Sequence, residues 1–400
     1  MSKTNEHQRW RWGQVLLILL LLSGSLVVLA GELGDDFFLG AGRAPAIDTS
    51  SLGEVMVVWE DPDGGIQGQA VNSMGEASSE VFDVSLGANG ALPSVTWTSD
   101  DDVAVTWERR DDSLGGDSRS VAISQFRRAI GSELKFDGKR AIGSEFRAIG
   151  SEFRISKALF PAVVSNGDGE YIVTWTGTNS GKRMARYFDD DGRPSSSNLR
   201  LGSSGAETPS SIAMLPTGET LVVWDEVARR RIKGRLLVGG RAIGSQFRIN
   251  TPGLDNSDSP SVTANMAGDF TVVWQRYNRD GSSDIVGRII DVFGRAIGSQ
   301  FAITGDSSLK NGDVNFAPQV AADGAGNQVV VWRRNDHSVM ARPLSLDGRA
   351  IGSELRVDLG GVIPGNARIT ETLGGHDFVV LWDDDEDEIL GRFLTAPFDE

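Results

Sequence analysis

Seven recurrences of one apolar run ending in tryptophan, a fixed pattern of turn residues around each, and one repeat split between the two chain ends predict an all-β ring. The specific expectation is a seven-bladed β-propeller with four antiparallel strands per blade, the N-terminal strand closing the last blade. The tryptophans are Trp59, Trp107, Trp175, Trp224, Trp274, Trp332 and Trp382, spaced by 48, 68, 49, 50, 58 and 50 residues.

The chain opens outside the repeat. Lys3, Arg9 and Arg11 precede an apolar run from Val15 to Ala30, and the small Val28 and Ala30 suit cleavage before Gly31. The run is short of the ~20 residues of a spanning helix, whereas Trp10 and Trp12 suit a membrane interface. Residues 1–30 therefore read as a signal peptide or an N-terminal membrane anchor, the former fitting better. Residues 31–400 read as a single propeller domain. The next stretch, Gly34 to Leu39, has the pattern of a fourth strand such as Gly244 to Ile249, while the last repeat stops after Gly391-Arg392-Phe393-Leu394. Pairing the two ends would remove two raw sheet edges. An open solenoid would carry caps instead.

Within a repeat the first strand starts at a proline fourteen residues before the tryptophan: Pro45, Pro93, Pro161, Pro260 and Pro318. Proline is tolerated there because the first residue of a strand need not donate a ladder bond. A glycine six residues before the tryptophan, as at Gly53, Gly169, Gly218, Gly268 and Gly326, marks the turn to the second strand. That strand is nearly all apolar, as in Val329-Val330-Val331-Trp332, which suits burial on both faces. A polar loop follows, then a third strand carrying Gly-Arg or Ala-Arg, an Asp-Gly turn such as Asp191-Gly192, and a fourth strand such as Gly244 to Ile249. The long spacing of 68 has a visible cause. The heptad Arg-Ala-Ile-Gly-Ser-Glu-Phe recurs in near-identical form at 128–134, 140–146 and 147–153, so a hairpin insertion at about 128–146 should bulge at the rim of the second blade. The spacing of 58 points to a longer loop around Ser307–Phe316.

Composition excludes several functions. The chain has no cysteine, so neither disulfides nor cysteine-ligated zinc contribute. A formal net charge of −16 repels nucleic-acid phosphates. The expected partner is a protein or polysaccharide at the cell surface, met by a monomer that touches membrane only through its N-terminal segment. The expected location is exported: secreted, periplasmic or cell-surface, with residues 13–30 the segment that would anchor it.

The loops after the tryptophans fall on one face of the ring, where a rigid scaffold usually binds. They carry Arg109 and Arg110, Arg230, Arg276, Arg333 and Arg334, and Asp383 and Asp385. Arginine clusters hold carboxylate or sulfate groups bidentately; a merely solvated rim is the plainer reading. The seven template tryptophans read as wedges between blades. Trp97, outside the template, is placed to face the mouth of the ring and is a candidate stacking platform. Acidic turns at Asp189-Asp190-Asp191, Asp280 with Asp284, and Asp383 to Asp387 invite calcium, yet none has the twelve-residue loop with a terminal glutamate. No cofactor is expected, calcium being the one candidate. Catalytic signals are thin: His337 and His376 stand alone, and no Gly-x-Ser-x-Gly elbow precedes a helix.

The template Pro-x-Val, Gly-x-Phe-x-Val-Val-Trp, Ile-x-Gly-Arg and Gly-Ser-x-Phe-x-Ile resembles tandem repeats of large exported bacterial surface proteins, over nearly all of Gly34 to Phe393. The resemblance implies a β-propeller and brings no catalytic residue with it. The chain lacks the Ser-x-Asp-x-Gly-x-x-Trp box of sialidases, the Trp-Asp signature of WD repeats and the calcium loops of integrin-type blades. The leading expectation is thus a non-enzymatic binding scaffold using the charged loop face. The alternatives are a glycan-active hydrolase or lyase with carboxylates near the channel, and a calcium-dependent adhesion module.

Overall fold

The computed structural model describes residues 32–395 apart from 111–118, 137–138, 204–207, 254–255, 266, 305–313, 359, 361–362 and 374–376. Residues 1–30, expected to be a signal peptide or anchor, His376 and most of the loop around Ser307–Phe316 therefore lie outside the described residues, as does the side chain of Arg110.

The described strands form seven four-stranded antiparallel sheets. Six are built from consecutive strands. In the seventh, the N-terminal strand Glu32–Ala41 lies outside Glu388–Thr395, which pairs with Phe378–Asp383 and then Arg368–Glu371. Phe37 pairs with Gly391, and the rings of Phe37 and Phe393 lie 5.2 Å apart. The chain is a seven-bladed β-propeller whose two ends share a blade, as the split repeat predicts.

The second strands form the buried heart of each blade. In Phe270–Tyr277 every residue through Gln275 is buried, as the continuous apolar run requires. All seven template tryptophans are buried, each at most 3 % exposed, and they join the clusters of apolar side chains between blades. The template proline does not open its strand as expected: in five blades the first strand starts two or three residues earlier and bulges at the proline, where the missing N–H costs no ladder bond. Ala44, Leu92, Phe160, Ser259 and Ala317, each preceding a template proline, hold φ between 48° and 51°, and the register shifts there in all five blades. Because the distortion recurs in five blades, it belongs to the architecture rather than to one site.

The glycine of the third strand has a packing cause, whether arginine follows it or, as after Gly68, glutamine. Gly68, Gly234, Gly287 and Gly391 face Phe82, Phe247, Phe301 and Phe37 across the outer strand pair, with the phenyl ring lying where a Cβ would stand. Where the third strand has Ala185 or Ala341, the facing residue is Leu199 or Leu355. The 128–146 segment lengthens the outer hairpin of the second blade, whose strands Arg119–Phe136 and Lys139–Ser156 pair as far as Phe136 with Lys139.

Candidate functional site

The loop-face residues lie on different blades, and each described one is engaged within the ring. Arg109 Nη1 lies 3.0 Å from Glu152, Arg276 Nη2 2.7 Å from Asp284, and Arg334 Nη2 2.8 Å from Asp336. Arg230 donates to Asn256 Oδ1, and Arg333 lies over the ring of Phe316 at 5.2 Å. Asp383 accepts from Ala44 N at 3.2 Å, and Asp385 from Ile363 N at 2.9 Å. The structure thus holds these side chains separately, three of the arginines in ion pairs, and not as one arginine cluster.

Trp97 is buried, 4 % exposed. Its Nε1 donates to Asp48 O at 3.2 Å, the Phe146 ring stands edge-on to it with centroids 5.9 Å apart, and the Arg128 guanidinium lies over it at 5.2 Å. No indole face is left toward the mouth. Of the acidic turns, Asp284 pairs with Arg276 and Asp280 accepts from Ser282 N and Oγ. Among the described residues no three His, Asp or Glu side chains are grouped to hold a metal ion.

Two features emerge that the sequence reading did not single out. The first is the central channel, about 770 Å³, walled by the innermost strands of all seven blades. An inner strand has no partner on its channel edge, so its N–H groups need other acceptors. Side chains of the preceding blade supply them. Ser94 and Thr96 hydroxyls accept from Val163 N and Ser165 N, Ser211 from Val262 N, and Ser261 from Val320 N, all at 3.1–3.2 Å. In the first blade a carboxylate takes this role: Asp48 Oδ2 accepts from Trp97 N at 2.8 Å and Thr96 Oγ1 at 3.0 Å.

Asp48 shares the channel wall with Glu371 of the last blade. Burial pushes the Asp48 carboxyl up to about 6, against the pull of its hydrogen bonds to Trp97, Thr96 and Thr49. Burial likewise pushes Glu371 up to about 7, with the charges of Asp323 and Asp48 adding to the rise and a backbone bond from Gly324 opposing it. At the other end of the same strand as Glu371, burial lowers Arg368, offset in part by the charge of Asp383. The signal for the acids was present in the repeat. Eleven residues before the tryptophan stand Thr96, Val164, Ala213, Thr263 and Ala321, and only the first and last blades place an acid there.

The second feature is a surface groove of about 850 Å³ between the third and fourth blades, lined by Arg200, Glu226, Arg229, Arg235, Ser245 and Gln246 among others.

No protein-family model matches the chain, and no curated protein sequence matches it. Solved structures do resemble it. The lectin BP39L from Burkholderia pseudomallei aligns with a TM-score of 0.61 at 13 % identity, over 91 % of this chain and 98 % of that one. The fucose-specific lectin from Aleuria aurantia aligns at 0.42 and 12 % identity, over 81 % and 98 %. The α-L-arabinanase from Penicillium chrysogenum aligns at 0.47 and 13 % identity, over 82 % and 99 %. At these identities the likeness concerns the fold, which the lectin from Burkholderia shares almost end to end.

Proposed function

We propose that the chain is an exported, monomeric, non-enzymatic scaffold that holds a polysaccharide or protein partner against the loop face of the propeller. The observation that carries this reading is the fixing of the loop charges: Arg109, Arg276 and Arg334 are each held by an acid of their own blade. A surface ordered in advance loses little conformational entropy on binding. Groups locked in ion pairs are also poor proton shuttles, which favours recognition over turnover. A saccharide is the favoured partner class, since a lectin is among the propellers of similar build. The test is a binding screen of the full chain against glycan and protein arrays, followed by turnover assays on every ligand found. Binding without turnover, weakened by Arg276→Ala or Arg334→Ala, is expected. Ligands that bind equally well to both variants would place the contact on other blades of the ring, and turnover of any ligand would overturn the non-enzymatic reading.

A glycan-active enzyme is the second reading, favoured by one observation. Asp48 and Glu371 share the channel wall, and their carboxyls take up protons near neutrality. Glycoside hydrolysis uses a protonated acid beside a carboxylate. Product release that disappears in Glu371→Gln would establish it. Asp48, however, already holds the edge of the second blade through Trp97 N, which makes a structural role the simpler account.

A further inference from the structure

The third strand of five blades carries an arginine at the same place: Arg186, Arg235, Arg288, Arg342 and Arg392. Three of them latch their blade to the one before. Arg288 Nη1 donates to Ile249 O at 2.8 Å, Arg342 Nη1 to Ile303 O at 2.7 Å, and Arg392 Nη1 to Val357 O at 2.8 Å. The acceptor is the same residue of the repeat each time, the apolar residue just after the fourth strand. Arg186 instead bonds Ser196 O at 3.0 Å and lies over Phe153 of the preceding blade. Arg235 makes no hydrogen bond, ion pair or ring contact among the described residues. Its Nε is buried without a partner, as are those of Arg288, Arg342 and Arg392, but it lacks their Nη1 bond to the preceding blade. The corresponding acceptor for Arg235 would be Leu201, and the groove between the third and fourth blades lies between them.

The sequence around Leu201 is also unusual. After the equivalent residue, four other blades place a polar side chain that accepts from the start of its own third strand. Ser85 accepts from Ile66 N, Asn250 from Ile232 N, Thr304 from Ile285 N and Asp358 from Val339 N. The third blade has Gly202 there, and a Cβ on it would stand 2.5 Å from Gln246 Oε1 and 2.7 Å from Trp224 Cζ2. Glycine is what lets the neighbouring blade come this close. Among the charged groups lining the groove, Arg200, Arg229 and Arg235 stand against Glu226 alone, in a chain whose net charge is −16. Glu226 Oε1 lies 3.3 Å from Arg229, and Lys233 stands 4.0 Å from its Oε2, which is buried without a hydrogen-bond partner. Arg235 and Arg200 remain as unspent cations, with Ser245 and Gln246 as hydrogen-bonding neighbours.

From the unlatched Arg235 facing this cationic groove, we infer a binding site for a carboxylate-bearing sugar, a uronic acid unit of an acidic polysaccharide. The guanidinium fork matches a planar carboxylate bidentately. The serine and glutamine side chains match sugar hydroxyls. The proposal rests on the saccharide-binding reading and names both ligand class and place.

The test titrates the full chain with oligosaccharides of galacturonate, glucuronate and mannuronate, and with the methyl ester of the galacturonate oligomer, by calorimetry. At least one acidic oligomer should bind, and esterification should abolish binding. Arg235→Ala should weaken it roughly ten- to hundredfold, the range for a lost bond to a charged group, and Arg235→Lys should recover part of the loss. Arg349→Ala, on an exposed turn paired with Asp347, should bind like the parent. Thermal melts of each variant establish that it is folded. No binding by any acidic oligomer, equal binding of the methyl ester, or unchanged binding in folded Arg235→Ala would each overturn the site. A neutral glycan held equally well by parent and Arg235→Ala would leave the scaffold reading standing and remove only this inference.

Discussion

The Trp97 indole and the Phe146 ring meet edge to face, 5.9 Å between centroids, and so tie the innermost strand of the second blade to its inserted hairpin. Trp97 stands ten residues before its template tryptophan, where the other blades have Thr49, Ser165, Met214, Ala264, Ala322 and Thr372. The insertion covers the indole: Phe146 packs on one side and Arg128, paired with Glu54, lies over the ring. The inserted hairpin thus reaches the core at Phe146, which is only 5 % exposed. Trp97→Ala should cost roughly 3–5 kcal/mol in urea unfolding, the range for a large aromatic removed from a core. Deleting residues 128–146 should cost a comparable amount in the parent and much less in a Trp97→Thr background. Additive costs would mean that the two features are independent.

The pairing of glycine with phenylalanine across the outer strands makes a second prediction. A Cβ on Gly287 would stand 2.5 Å from Phe301 Cε2, and 3.3 Å from Val272 O. Gly287→Ala should therefore destabilise the protein by about 1–3 kcal/mol through overpacking. Phe301→Leu alone should also destabilise it, by leaving space. Together they recreate the Ala341–Leu355 pair of the next blade. The double variant should be more stable than the sum of the single effects, read as a favourable coupling in a double-mutant cycle by denaturant titration.

Ring closure makes the third. The N-terminal strand covers the outer edge of Glu388–Thr395, and Phe37 fills the space above Gly391 and beside Phe393. A chain beginning at Gly42 should melt lower and self-associate with rising concentration, because it exposes a raw strand edge. A synthetic peptide spanning 32–41, added in trans, should raise the melting temperature again by strand addition. A truncated chain that melts like the parent and stays monomeric in sedimentation would contradict this account.

These cases show which parts of the molecule can be read from the chain. The number of blades and the shared last blade follow from residues that repeat for local reasons: a proline without an N–H, an Asp-Gly turn, an apolar run closed by tryptophan. Partners chosen across the repeat are not legible in this way. The loop arginines are visible as charges, but Glu152, Asp284 and Asn256 become their partners only once the strands are in register. Trp97 falls between the two. Its departure from the template is plain, whereas its burial depends on an insertion some thirty residues later in the chain. Asp48 and Glu371 lie near opposite chain ends, and only closure brings the first blade beside the last.

That juxtaposition sets the pH dependence of stability. In the folded chain Asp48 titrates near about 6 and Glu371 near about 7, both raised by burial, while in the unfolded chain they return to ordinary carboxylate values of about 4. Between those values the folded state binds more protons than the unfolded one, so stability falls as pH rises. The contribution is complete below about 4 and is lost as pH passes through the folded values. Asp258 and Asp269, also raised by burial, act with the same sign. Asp336, Asp347 and Asp387 are held low by their hydrogen-bond and arginine partners and lose their stabilisation only in more acidic solution. The melting temperature should therefore fall between pH 5 and pH 8. Glu371→Gln should remove most of that fall, and Asp48→Asn a smaller part centred at lower pH, because an amide does not ionise. Equal slopes in parent and variants, followed by circular dichroism across this range, would show that neither carboxyl holds a proton in the channel wall.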